Sequence, residues 1–428
     1  MRILFLSTHL PSPHSRQGGQ RTSYHVSEFL SRRHEMHLLC FGTESELAVF
    51  DGQGMEIFRS WDIVPVSRWA RMRGVLSSPG LPLSVAARNS GTFRGKLHRL
   101  TKSHRFDVVI LDHTAIWQYA SQLGSAPLCV GLMHDVLTQL WERRAGGARN
   151  GLSKLILSME AKRIRRWEQR ALSQLNLVVA QSEKDSVLLG QLNPNTPRFL
   201  IQQWVSVSVS SSPAETTTVR EPSSVVFWGA LDRSENTDAV AYALREIFPR
   251  VREDVPSAKF YIAGNNSEGI ASITDGAPQV IRTGFINNIG PFLSSMEVAL
   301  LSLRQGAGIK VKTLECMAAG VAVVTTPVGA EGIAAKHGVH FLIGETALEL
   351  ASYTVQLLRK PEEARQMGER AQEWFASKYD FDKHMAAFES RLVVNAQRIA
   401  KGESSGSSTP YICQDQTSRE YTASKTVE

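Results

Sequence analysis

Residues 303–332, LRQGAGIKVKTLECMAAGVAVVTTPVGAEG, concentrate the residue types that bind anions. Gly306 and Gly308 precede Ile309, Leu314, Met317 and Ala318 at helix-compatible spacing, and Gly320 closes the segment, so a helix is predicted to begin near Ile309. A glycine-rich entry leaves backbone N–H groups free at the positive end of the helix dipole. Lys310 and Lys312 add charge to that first turn, where cations are unfavourable for the helix itself, and an anion seated there would offset the cost. Further candidates stand at strand ends in the N-terminal half. The run FDVVIL delivers Asp112 and His113, and LCVGLM delivers His134 and Asp135, to the carboxyl edge where open α/β sheets bind ligands. Gly18 and Gly19, with Arg21, stand before a helix expected over 22–32 and read either as a plain turn or as another anion approach point.

Positioning these residues takes alternating strands and helices. Apolar, β-branched runs at 1–6, 106–111 and 128–133, with MHLLCF and the run from Leu175, predict a first parallel sheet. Runs at 225–229, 260–263, 280–283 and 298–303, with VAVVTT, predict a second, and a helix is expected over 238–252. The polar Ser/Thr/Pro-rich stretch 208–223 lies between them as a linker. The expected fold is α/β: two Rossmann-like domains, 1–207 and 224–378, facing across a cleft. Residues 379–400 continue as a helix, and 401–428 have too little apolar content to fold and are expected to be disordered.

The pattern Gly306, Lys312, Leu314, Glu315, Met317, Ala318, Gly320 resembles the signature of retaining glycosyltransferases of the GT-B fold, family 4. The segments WGALDRSENTDAV, IAG, TGF and AEG fit relatives in the same order, so the resemblance spans about residues 1–392. It implies an acceptor-side domain at 1–207, a nucleotide-sugar donor domain at 224–378, and a terminal helix at 379–400 crossing back to the first domain. It implies that Glu315 holds the donor ribose, that Gly18, Gly19, Gly229, Gly306, Gly308 and Ile309 line the donor, and that His134 and Lys312 work at the catalytic centre; Arg233 and Lys310 are added as donor-binding cations and Arg304 as a catalytic one. Asp112 and His113 are acceptor-side candidates. Two departures stand out. A glutamate that relatives use on the donor sugar would fall at Ala307, and the arginine and lysine that grip the diphosphate are replaced by Ala230 and Glu235. Arg233, Arg304, Lys310 and Lys312 remain to neutralise phosphates, with Lys312 as a point charge and Arg304 as a bidentate fork weighted most.

The 428 residues suffice for two cores, and 42% hydrophobic with 21% charged residues is a soluble balance. The net charge of +7 resides in the N-terminal half: 59–99 holds eight Lys or Arg against Asp62, a local +7, and 142–170 holds nine against three Glu, a local +6. Beside the second cluster, Leu152, Leu155, Ile156, Met159, Ile164 and Trp167 mark an apolar stripe, which predicts either peripheral contact with an anionic membrane or a solvated helix packing its stripe on the sheet. No helix-turn-helix, zinc or RNA-recognition signature supports nucleic acid as partner. Cys40, Cys129, Cys316 and Cys413 are far apart and lack zinc spacing, consistent with free thiols in a reducing compartment. The start reads as a strand rather than a signal peptide, and no run approaches the ~20 apolar residues of a membrane span, so a cytoplasmic or peripheral inner-face location is expected.

The expected reaction is transfer of a sugar from a UDP- or GDP-linked donor to a lipid-linked or saccharide acceptor in polysaccharide or glycolipid assembly. No cofactor is expected, and the reaction is expected to be metal-independent because cations and a helix dipole are read as taking the leaving charge. Glu315, on a helix beside two lysines, is expected to be ionised and weakly basic, which favours a ribose clamp over a general base. The rival readings are a nucleotide-sugar epimerase or phosphorylase-like enzyme on the same fold, and a donor-binding or scaffold protein without turnover.

Overall fold

Runs of β-branched and apolar residues assemble into two all-parallel sheets in a computed structural model that describes residues 1–15, 17–48, 50–124, 127–148, 150–207, 219–265 and 270–402. The first contains β1 (Arg2–Ser7), β2 (Glu35–Thr43), β3 (Ser60–Val66), β4 (Val108–Asp112), β5 (Leu128–Leu132), β6 (Leu177–Ala180) and β7 (Arg198–Leu200) in the order β3-β2-β1-β4-β5-β6-β7. The second contains β8 (Ser224–Trp228), β9 (Lys259–Ala263), β10 (Val280–Gly284), β11 (Val298–Leu301), β12 (Ala322–Thr325) and β13 (Leu342–Ile343) in the order β10-β9-β8-β11-β12-β13. Each order reverses once, between β1 and β4 and between β8 and β11, which is the doubly wound pattern with its ligand crevice at the switch. Both domains are Rossmann-like. The central strands β4, β5, β11 and β12 are buried throughout, which is why their sequences lack polar alternation.

The chain divides into two units: the described residues of Met1–Pro13, Ser23–Gln202 and Asp382–Glu428, and those of His14–Thr22 and Gln203–Phe381. Helix Phe381–Ala400 therefore packs with the first sheet. Its Met385, Phe388 and Leu392 are buried, Phe388 lies 5.7 Å from Phe199, and Glu389 pairs at 2.9 Å with both Arg33 and His34. Of the expected linker, 208–218 lie outside the described residues, as do 403–428 of the expected tail and Cys413. Cys40, Cys129 and Cys316 are buried free thiols, and burial pushes each of them up.

Several boundaries differ from the sequence expectation. The helix expected from 22 begins at Gly18, so Gly18 and Gly19 are its first residues rather than a preceding loop. The helix expected near Ile309 begins at Val311, because Lys310 is extended and Gly308 adopts a φ of 67°. The helix expected over 238–252 runs as Ser234–Tyr242, a π-helical turn Ala243–Ile247, and Phe248–Asp254. Pro249 has no N–H for the regular ladder, and the break falls just before it. The basic stretch 59–99, read only for its charge, forms β3 and the helices Arg68–Ser77 and Gly91–Ser103. Pro65 obscures β3 in the sequence and is tolerated because β3 is an edge strand.

Candidate functional site

In the first unit the parallel register sets Ser7 of β1 beside Asp112 of β4, and Asp112 beside Leu132 of β5, with His134 just past that strand end. Asp112 has no exposed surface and accepts hydrogen bonds from Ser7 Oγ at 2.7 Å, Ser23 Oγ at 2.8 Å and His134 Nε2 at 2.7 Å. Burial alone would raise its carboxyl, but His113 and His134, with the hydrogen bonds from His134 and Ser7, hold it down at about 2. His134 Nδ1 lies 3.1 Å from Gln181 Nε2, so both ring nitrogens are engaged within the fold. The imidazole expected at the catalytic centre is thus held on both sides. Its face is stacked on His113, centroids 3.9 Å apart.

His113 has a left-handed φ of 66°, a conformation costly for a side chain of this size, and its buried Nε2 has no hydrogen-bond partner among the described residues. Burial, reinforced by His134, keeps it well below the usual histidine range. Asp112, read from the sequence as an acceptor-side contact, has no exposed surface and lies against both histidines. Ligand atoms of Asp112, His113 and His134 all lie within 4.8 Å of one another. A metal ion there would have to replace the His134–Asp112 hydrogen bond.

The second unit gathers most of the other candidates at its own switch point. Gly229 follows β8, and a Cβ added there would lie 3.0 Å from Lys312 Nζ. A Cβ on Gly264 would lie 1.9 Å from Gly229 O, so these strand ends approach as only glycine permits. Lys312 sits on the first turn of helix Val311–Ala318, hydrogen-bonded to Asn236 Oδ1, with Nζ 5.1 Å from the Phe227 ring centroid. Burial first, and Arg233 second, lower it to about 7. Arg233 pairs with Glu235 at 2.7 Å, and Lys310 Nζ donates to the carbonyls of Ala307 at 3.0 Å and Gly308 at 2.6 Å.

Arg304 departs from expectation. Its fork binds Asp238 in bidentate fashion at 2.6 and 3.1 Å, and its plane lies 4.4 Å from the Tyr242 centroid, so it presents no free fork to a phosphate. Glu315, expected beside two lysines, is fully buried, and burial pushes its carboxyl up while Arg21 and Ser206 oppose the shift. Oε1 accepts from Ser206 Oγ, from Ser206 N at 3.3 Å and from Arg21 at 3.4 Å, while Oε2 is buried without a hydrogen-bond partner among the described residues. Gly18 packs against Val311, where an added Cβ would come within 3.1 Å. Ile309 is partly buried against the core. Sequence reasoning missed Ser7, Ser23, Gln181, Ser206 and Asn236; no motif marks them, and only the register and the loop paths bring them in.

This Gly-lined helix entry lies within a recognisable segment. Residues 222–360 match the family model Glycosyl transferases group 1. A Klebsiella pneumoniae protein described as an uncharacterized 44.6 kDa protein in the cps region is 26% identical over 167 residues, which span 37% of this chain and 43% of that relative. The structure is similar to that of Anabaena HepE in complex with UDP and glucose, with a TM-score of 0.64 at 14% identity, covering 92% of this chain and 100% of that one. It is also similar to WaaG, a glycosyltransferase involved in lipopolysaccharide biosynthesis, with a TM-score of 0.58 at 12% identity, covering 92% and 99% of the two chains. The two-domain GT-B architecture is shared with both.

Proposed function

We propose that the protein is a metal-independent glycosyltransferase that moves a hexosyl group from a nucleoside-diphosphate donor to an acceptor hydroxyl with retention of configuration. The observation that carries this reading is Glu315, whose Oε1 is held by Ser206 and Arg21 while Oε2 is buried without a hydrogen-bond partner among the described residues, one turn from the partly buried Lys312, inside the segment that matches the family model. A ribose hydroxyl would satisfy Oε2, and a diphosphate would satisfy Lys312 and the helix N-terminus. The transition state resembles an oxocarbenium ion departing from a diphosphate, so stabilising the leaving charge matters more than a strong base. One well-placed contact of this kind typically lowers the barrier by ~3 to 4 kcal/mol. With Arg304 tied to Asp238 and Arg233 paired with Glu235, Lys312 is the cation assigned to the phosphates. His134, held by Asp112 and Gln181, is the proposed catalytic-centre ring of the first unit.

The UDP in the HepE complex, the cps-region relative and WaaG favour a UDP-linked donor and polysaccharide or glycolipid assembly, with a lipid-linked or saccharide acceptor. The test is incubation with UDP- and GDP-hexoses and acceptor extracts in the presence of a chelator, following nucleotide release and the product anomer by NMR. Acceptor-dependent release, unaffected by the chelator and giving the donor's configuration, is expected; an inverted anomer or loss of activity with the chelator would overturn those parts of the proposal. A donor-binding protein without turnover is the second reading, favoured by Ala230, Glu235, Ala307 and the occupied Arg304. Donor binding with no release on any acceptor would support it.

A further inference from the structure

Large apolar side chains stand in solvent along two neighbouring helices of the first unit. On helix Arg68–Ser77, Trp69 is 77% exposed, Met72 51% and Leu76 78%. On helix Gly151–Leu172, Leu152 is 70% exposed, Leu155 58%, Ile156 55% and Met159 59%. At about 100° per residue each set falls on one face of its helix. The packing of helix Gly151–Leu172 is done by its other face, where Glu160, Ala161, Ile164, Glu168, Ala171 and Leu172 are buried. The exposed stripe is therefore surplus to the fold.

The two faces are tied together. Glu160 accepts a hydrogen bond from Leu83 N, and Arg163 donates to Leu81 O at 2.7 Å, fastening the long helix to the loop that follows Arg68–Ser77. Gly74 lies so close to the next turn that a Cβ would come within 2.4 Å of Ala86 O. Charge follows the same surface. The apolar stripe of the long helix runs on into Arg166 and Arg170, and Arg68, Arg73 and Lys154 flank the two stripes; all five are exposed. Helix Arg68–Ser77 has no acidic residue, and Glu160 and Glu168 of the long helix are turned inward.

We propose that these two stripes and their basic rim form a docking face for an anionic phospholipid bilayer. A second copy of the chain would set arginine against arginine, and a nucleic acid would meet the cations but leave seven apolar side chains in water. A bilayer surface offers phosphates to the rim and the acyl boundary to the stripes, the environment in which interfacial helices bury their apolar side. No helix among the described residues is long and apolar enough to cross a membrane, so the contact is peripheral.

The test is flotation of the full chain with phosphatidylcholine vesicles, with and without phosphatidylglycerol, for wild type and Trp69→Ser/Leu76→Ser/Leu152→Ser/Ile156→Ser. Binding confined to phosphatidylglycerol vesicles, and weakened at least roughly tenfold by the substitutions, is expected. The substituted side chains are exposed, and an unchanged far-UV melting curve confirms an intact fold. In a second measurement, brominated lipids should quench wild-type fluorescence more than that of Trp69→Phe. Absence of vesicle binding, binding that survives the four substitutions, or equal quenching of both proteins would each overturn the proposal. So would concentration-dependent self-association in solution that the same substitutions abolish.

Discussion

Lys312 makes the proposed donor site testable through protons. Burial holds it at about 7 in the free protein, and a bound diphosphate stabilises the ammonium and raises it. Above about pH 7 nucleotide binding must therefore take up a proton, and affinity falls as pH rises until the complex's own value is passed; below about 7 this linkage is absent. Calorimetry at about pH 8 in buffers of different ionisation enthalpy should show uptake approaching one proton in wild type and almost none in Lys312→Met. Equal uptake in both proteins would assign the linkage elsewhere. In the free protein the sign is opposite: the unfolded chain binds this proton more tightly, so Lys312's contribution to stability rises with pH from about 7 upward. At this scale the sequence showed Gly306, Gly308, Lys312 and Glu315, because they share one local motif. It did not show that Glu315 is sealed from water, where burial pushes its carboxyl up although two lysines stand beside it in sequence. Nor did it show that Asp238 had already engaged Arg304.

Among the elements, strands were legible from their continuous apolar runs, and helix starts less so because glycines serve both turns and first turns. Gly18 is the example: it opens a helix, and a Cβ added there would come within 3.1 Å of the Val311 side chain. Helix Leu137–Gly146 has no side-chain cap of its own, and Glu168 from the following helix accepts from Leu137 N at 3.0 Å and Thr138 N at 2.9 Å. Burial pushes Glu168 up to about 7 despite these bonds. Its native value lies above the unfolded one, so its contribution to stability is largest at low pH and declines as pH rises toward about 7. Glu168→Gln exchanges one acceptor for a donor that faces a backbone N–H, and should cost about 1 to 3 kcal/mol. Urea melts should show the gap between wild type and variant narrowing from about pH 5 to about pH 8. A gap independent of pH would mean that Glu168 does not titrate in this range.

At the scale of the whole molecule, the two-sheet grammar was readable because the strand and helix alternation restarts after residue 223. The return of helix Phe381–Ala400 to the first sheet has no local signal: it rests on Met385, Phe388 and Leu392 finding partners far away in sequence. Phe388→Ala should remove about 3 to 5 kcal/mol from the first unit. Hydrogen exchange should then show protection lost in β1, β6 and β7 and kept in β8, β11 and β12; loss confined to the second sheet would contradict the assignment of this helix. The central claim is that the second unit binds a nucleoside diphosphate through Lys312 and Glu315, and titration calorimetry with UDP, GDP and ADP without metal, on wild type and Glu315→Ala, tests it most directly. Selective binding of UDP or GDP, weakened at least about tenfold in the variant, is the expected result. Binding of none of the three nucleotides, or equal binding by both proteins, would contradict it.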